Sequence, residues 1–452
     1  MEINLLSSVI KHQTNFYNVR FYGILPSNSS AINGTNFYKL IQKVEEAGGG
    51  VIYFPSGVYN IKNTNDYIIT TSYIKFLGDG ECSRINKYGK NPLIHVVGKS
   101  IKNTANTSGH VFGLTIDSLW INNSQSYTTD MKPLVDLEAV SVIRINNCLL
   151  RGSGTHLNLT ECFDSKIIST DFTESGRSYK VSTDIADDFV DYTNRDNDDY
   201  TPTIMFNSNI TSYNQEGYET DGLTIENTNQ IMFLQCRFES YYGGAVGLNG
   251  NGTNNIYFTN CKFESKQCRV PVFNLRYYWS SCFINSCVFC KYIYTSVGDR
   301  SEQPVLYSDS LFVGNKINAI VSLQRTSTSY TQKASLFKVL QDANSSFSMN
   351  EFDVACRIND GSGLKMMDDT AYIIESGIPH ELFLNGNKTT VEVSKTYGNK
   401  NNDYEELSPI TSIPTERWHA KGERINFTYP DANGNTEAIC TVSGTPGTWV
   451  LK

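Results

Sequence analysis

The chain has 452 residues, a net charge of −8, 39% hydrophobic and only 19% charged residues. That length exceeds one compact core, so the chain folds as several domains or as one quasi-linear array. The acidic balance, with no Lys/Arg cluster, argues against a nucleic-acid partner, and no run approaches the roughly 18 apolar residues of a membrane span.

The N-terminal MEINLLSSVIKHQ lacks the basic start and long apolar stretch of a signal peptide, which predicts a protein folded in a cytosol. The 11 cysteines are odd in number and sit beside apolar strand residues. They read as buried thiols rather than as disulfides or zinc ligands.

Residues 34–47, GTNFYKLIQKVEEA, place Phe37, Leu40, Ile41 and Val44 at helical spacing. This predicts an amphipathic helix ended by Gly48, Gly49 and Gly50. Strand-like VIYF, a Pro-Ser-Gly turn and IKFLGDGECSRI follow. From residue 142 one pattern recurs: alternating apolar residues, then Cys, Asn or Asp, then another apolar residue. Its markers are Cys148, Asp171, Asn209, Cys236, Cys261, Cys287, Asn315 and Asn350, mostly spaced in the twenties. Short strands at such a period, with no helices between them, predict a β-solenoid whose stacked turns share one core. The helix then caps the open end of that core. The expected order is an extended segment and capping helix over 1–47 and the solenoid over 48–356. Further strands and a linker, trimerising in one reading, follow over 357–413, and a small C-terminal β module over 414–452.

The stretch FYGILPS…NFYKLIQKVEEAGGGVIYFPSGVYNI, followed by Gly-Asp-Gly, resembles the N-terminal signature of pectate-lyase-like right-handed parallel β-helix proteins. The likeness covers about the first 90 residues, and the repeats carry it to about 355. It implies an all-β, right-handed parallel β-helix, but no single reaction. The usual acidic lead-in of that family is LPSNSSAING here. Residues 416–450 resemble the small terminal module of phage tail fibres and tailspikes. Together these resemblances imply a homotrimeric phage tail depolymerase, carried on a tail or baseplate, made in the host cytoplasm, and directed at a bacterial surface polysaccharide or teichoic acid.

The long interval between Asp171 and Asn209 contains an inserted segment, Arg177 to Pro202, with seven aspartates from Asp184 to Asp199. It reads as a solvated acidic loop, a wall of a substrate groove or a calcium site; the glycine and closing Glu of an EF-hand loop are missing. No other cofactor or metal site is expected. Directly after it, SYNQEGYETDGLTIEN places Glu216, Glu219 and Asp221 in one turn. Glycoside hydrolysis needs two carboxyl groups, so these three are the candidate catalytic residues, with solvent-facing turn acids as the plainer alternative. ETDG resembles the NTDG of polygalacturonases, which implies a catalytic role for Asp221. The further Asp-Asp and Gly-His-Gly of that branch are absent.

Counting back from the markers places His156 near the column of Asp221, as a substrate contact or as a satisfied structural histidine. Arg276 suits bidentate binding of an acidic sugar or phosphate, and Arg177 is a weaker candidate of the same kind. Tyr213, Tyr218, Tyr241, Tyr242, Tyr277 and Tyr278 offer rings for stacking on sugar faces, although some belong in the core. Hydrolysis is the first expectation. A lyase or a teichoic-acid phosphodiesterase on the same scaffold, and a non-catalytic receptor-binding fibre, remain open.

Overall fold

The computed structural model describes residues 15–99, 109–125, 130–173 except 153, 204–207, 228–239, 245–249, 253–265, 272–275, 279–293, 305–308, 312–325, 337–339, 347–360, 374–376, 388–397, 405–406, 424–426, 437–443 and 448–452. Helix α1 spans Ser30–Glu46, starting a turn earlier than its apolar spacing suggests because Ser29 accepts a hydrogen bond from the Ile32 amide and so caps it. Its C-terminus is closed by Gly48 and Gly49, whose amides reach the carbonyls of Glu45 and Val44. Both have positive φ, 78° and 111°. A Cβ on Gly49 would also lie 2.6 Å from the Ser72 carbonyl oxygen. This is why the helix stops on glycines: the chain reverses through left-handed backbone and passes against the next coil. Phe37, Leu40, Ile41 and Val44 are all buried, with the Phe37 ring 6.0 Å from Phe54 and 6.4 Å from Phe76. The helix therefore covers the first coil.

Beyond it the chain winds as a parallel β-helix. Ten strands form one sheet in strict chain order: β1 (Ile68–Ile69), β2 (Ile94–Val97), β3 (Val135–Glu138), β4 (Leu157–Thr160), β5 (Ile204–Asn207), β6 (Val246–Asn249), β7 (Phe273–Leu275), β8 (Leu306–Ser308), β9 (Phe337–Val339) and β10 (Ile374–Ser376). A 25-stranded sheet forms the other walls. Successive coils pair in parallel, for example Leu137 with Val96 and Leu159. Bends recur at equivalent places, with Asn147, Ser169, Gln235, Asn260 and Ser286 all at φ between 48° and 54°. Short polar side chains tolerate this left-handed backbone better than bulky ones.

The residue after each bend points inward. Leu149, Asp171, Arg237, Lys262 and Val288 are paired in turn, so the preceding residues form an internal column of Cys148, Thr170, Cys236, Cys261 and Cys287. The thiols of Cys236, Cys261 and Cys287 donate to carbonyls of the preceding coil at 3.4–3.5 Å. They are buried free thiols, as expected. Stacked rings run beside them: Phe172, Phe238, Phe263 and Phe289 lie 4.7–4.9 Å apart centroid to centroid, which is the strand spacing.

Three expected markers belong elsewhere. Asp171 is one residue past the column and faces out to Arg237 at 2.7 Å. Asn315 and Asn350 form a separate ladder with Cys282, each amide oxygen accepting from the previous coil's backbone at 3.0 Å. Asn209 lies outside the described residues, and the strand just before it, β5, is in the ten-stranded sheet. Beyond residue 356 the solenoid continues, since Lys388–Tyr397 pairs in parallel with Glu351–Asp360. A separate antiparallel module closes the chain: Arg424–Asn426, Glu437–Val442 and Thr448–Leu451.

Candidate functional site

On the ten-stranded sheet, β2, β3 and β4 read IHVV, VDLE and LNLT. The apolar residues at alternate positions enter the core, so the residues between them face outward. Register then sets His95, Asp136 and Asn158 in one row, with Glu138 and Thr160 in another. These polar side chains are nonetheless buried: His95 is 1%, Asp136 4% and Glu138 1% exposed.

His95 Nδ1 lies 2.7 Å from an Asp66 carboxylate oxygen, and its Nε2 lies 3.9 Å from Glu138. The latter is a charge contact, too long for a hydrogen bond. Asn158 donates to Asp136 at 2.6 Å. Burial alone would lower the His95 pKa, but Asp66, Glu138 and Asp136 outweigh it and raise it to about 9. Burial pushes the Asp136 pKa up, against the opposing pull of His95 and Asn158. Donor atoms of His95, Asp136 and Glu138 all lie within 4.8 Å of one another, so this group could hold a metal ion. A second buried group flanks it: His110 Nδ1 is 2.8 Å from the Ser141 hydroxyl, its Nε2 is 3.7 Å from Glu161, and its ring stacks on Phe163.

Among the expected site residues, only His156 lies within the described ones. It is fully buried and donates from Nε2 to the Gly152 carbonyl at 2.7 Å. Burial lowers its pKa to about 4. It sits one position before β4, level with the core residues Leu134, Ala245 and Val272, so it is a structural histidine and presents nothing to a surface ligand. The candidate catalytic Glu216, Glu219 and Asp221, the candidate contacts Arg177, Tyr213, Tyr218, Tyr241, Tyr242, Arg276, Tyr277 and Tyr278, and the Asp184–Asp199 segment all lie outside the described residues.

The register does correct one inference. Ile204 pairs with both Leu157 and Val246, so β5 supplies that coil's place in the sheet. Asp221 falls in chain order after β5 and before Asn229–Leu234, whereas the position level with His156 in that coil is the one just before Ile204. Two long segments therefore leave the same coil. One separates Asp171–Thr173 from β5, and the other separates β5 from Asn229–Leu234. The neighbouring coil makes these connections with only residues 153–156 and 161–162. The candidate acids thus lie in a segment that leaves one end of β5, on the sheet that carries His95, Asp136 and Glu138.

Sequence reading missed His95, Asp136, Glu138, Asp66, Asn158, His110 and Glu161. The available signal was polar residues at alternate positions of otherwise apolar strands. The unequal connections between β2, β3 and β4 hid their common row. A separate cleft of about 360 Å³ lies on the larger sheet, lined by Glu81, Trp120, Leu149, Asp171 and Arg237 among others. Its tryptophan ring is already covered by the Arg84 guanidinium at 4.1 Å.

No protein-family model and no curated protein sequence matches the chain. Among solved structures, ORF18 of Geobacillus virus E2 is similar over 99% of this chain and 78% of its own, at 17% identity and a TM-score of 0.51. The Streptococcus pneumoniae surface protein and adhesin PfbA is similar over 85% of this chain and 99% of its own, at 12% identity and a TM-score of 0.44. The A-module of Azotobacter vinelandii mannuronan C-5 epimerase AlgE6 gives 12% identity and 0.40, over 85% of this chain and 100% of its own. At these identities the likeness is one of fold. The chain has a right-handed parallel β-helix fold.

Proposed function

We propose that this chain is a tailspike-like depolymerase that binds and cleaves a bacterial surface polysaccharide along the outer face of the ten-stranded sheet. One observation carries the reading: both long inserted segments flank the single strand β5. Insertions in a solenoid collect on its binding face. In chain order Arg177 belongs to the segment before β5, and Tyr213, Glu216, Tyr218, Glu219 and Asp221 belong to the segment after it. Hydrolysis by a pair from Glu216, Glu219 and Asp221 is the mechanism in view, one acid protonating the leaving oxygen and the other acting as base or nucleophile. A trimer carried on a phage tail or baseplate fits the resemblance of the C-terminal module, and a virus-encoded chain with this fold is compatible with it.

The test is product analysis on purified capsular, exopolysaccharide and teichoic-acid polymers. Shortening with new reducing ends and no ultraviolet absorbance of unsaturated uronides is the expected result, abolished by Glu219→Gln or Asp221→Asn. Absorbance would move the assignment to a lyase, with Arg or Tyr as base. New phosphate monoesters would move it to a phosphodiesterase. Binding without shortening of any polymer would refute the enzyme and leave a receptor-binding fibre.

A further inference from the structure

Two carboxylates and an imidazole nitrogen converge on the outer face of β2 and β3. The donor atoms of His95, Asp136 and Glu138 lie within 4.8 Å of one another. His95 is 1% exposed, and its Nε2 is buried without a hydrogen-bond partner, facing Glu138 at 3.9 Å. Its other nitrogen is held by Asp66 at 2.7 Å. A carboxylate that accepts from Nδ1 fixes the ring so that Nε2 faces Glu138, and a bound metal ion would take the place of the Nε2 proton. This carboxylate–imidazole arrangement is typical behind a metal-ligating histidine. Asn158 donates to one Asp136 oxygen at 2.6 Å and so holds that carboxylate in place.

We propose that His95 Nε2, Asp136 and Glu138 hold a divalent transition-metal cation, Zn²⁺ or Mn²⁺ in preference to Ca²⁺, with Asp66 and Asn158 as the residues that position the ligands. The donor set decides the class. Calcium takes about 6–8 oxygen ligands, whereas one imidazole nitrogen with two carboxylates suits a borderline cation. Ligand bonds of about 2.0–2.2 Å require the 3.9 Å gap to close slightly, which rotation of the Glu138 side chain provides. The ion would join successive coils: Asp66 precedes β1, His95 is on β2, both acids are on β3, and Asn158 is on β4. It acts as a staple across the sheet. None of its ligands belongs to the aspartate-rich 184–199 segment, and it stands or falls independently of the depolymerase reading.

The experiment uses the full chain without a histidine tag. Metal content is measured as purified. After chelator treatment the protein is titrated with ZnCl₂, MnCl₂ and CaCl₂ by calorimetry, with the thermal midpoint followed in parallel. One equivalent of Zn²⁺ or Mn²⁺ should bind and raise the midpoint. His95→Gln and Glu138→Gln should remove both effects, and Asp66→Asn, which keeps every ligand, should weaken affinity about 10–100-fold. Pulsed electron paramagnetic resonance of the wild-type Mn²⁺ form needs no variant and should show coupling to an imidazole nitrogen. Absence of stoichiometric Zn²⁺ or Mn²⁺ binding, binding of Ca²⁺ alone, lack of nitrogen coupling, or wild-type affinity in His95→Gln would each overturn the assignment.

Discussion

Lys87 gives the sharpest test of the core. It lies on the strand Ser83–Tyr88, where Ser83, Ile85 and Lys87 alternate inward, and it is completely buried. Its ammonium donates to the Gly89 carbonyl at 2.6 Å, and burial lowers its pKa from 10.5 to about 8. At about 1.36 kcal/mol per pH unit, that difference is a penalty of about 3 kcal/mol for carrying the charge inside the fold. Below pH 8 both folded and unfolded chains hold the proton, and the penalty is complete. Between pH 8 and 10.5 the unfolded chain binds the proton more strongly than the folded one, so stability rises with pH. Above 10.5 the penalty is gone.

Lys87→Met removes the charge at similar length but leaves the Gly89 carbonyl without its donor, which costs about 1–3 kcal/mol. The net change at pH 7 is therefore small. The informative quantity is the difference between wild type and variant. Unfolding midpoints measured from pH 7 to 10.5 should show the wild type gaining on Lys87→Met by the equivalent of about 3 kcal/mol. A difference that stays flat across that range would refute the claim that Lys87 is charged and poorly solvated in the core.

Phe238→Ala should cost about 3–5 kcal/mol in denaturant unfolding, since its ring is stacked between Phe172 and Phe263; a loss under 1 kcal/mol would mean that the ladder is not packed as described. Gly34→Ala would bring a Cβ to 2.1 Å from the Lys62 carbonyl oxygen, so it should cost about 1–3 kcal/mol and raise hydrogen exchange in α1; an unchanged helix would count against its close seating on Gly57–Lys62. Asp79 accepts from the Tyr53 hydroxyl and from the amide and hydroxyl of Ser56, the first of these being the main cause of its lowered pKa. Its contribution is present above pH 3.8 and is lost as pH falls through the lower folded value. Asp79→Asn should therefore lower the thermal midpoint at neutral pH and leave it little changed at the acid end. Equal effects at both ends would contradict the carboxylate's role.

Much of the fold was legible because its causes are local. The apolar period of α1, the glycines that end it, and the recurring polar residue before each inward thiol are all written within a few residues of one another. The cause behind the Gly-Asp-Gly motif lies between coils instead, since Asp79 fastens the Ser56 turn of the previous coil. A repeat of short strands without helices left a solenoid as the economical way to bury one face per turn.

The candidate site was not legible in the same way, and the two histidines show why. His156 and His95 both sit at strands of alternating residues, yet a shift of one position sends a side chain to the opposite face of a sheet. Counting residues from a marker carries an error of at least that size once insertions intervene. For His156 counting left a substrate contact and a satisfied structural histidine both open, and it lies in the core, whereas His95, which no motif marked, faces Asp66, Asp136 and Glu138. Likewise the sequence located the acids of 216–221 after an insertion, but only strand pairing showed that β5 interrupts two insertions. The sequence by itself determined the type of coil, its cap and its inward residues, because these follow from neighbours along the chain. The tertiary structure decided which distant residues share a row, because that depends on backbone pairing between coils separated by connections of unequal length.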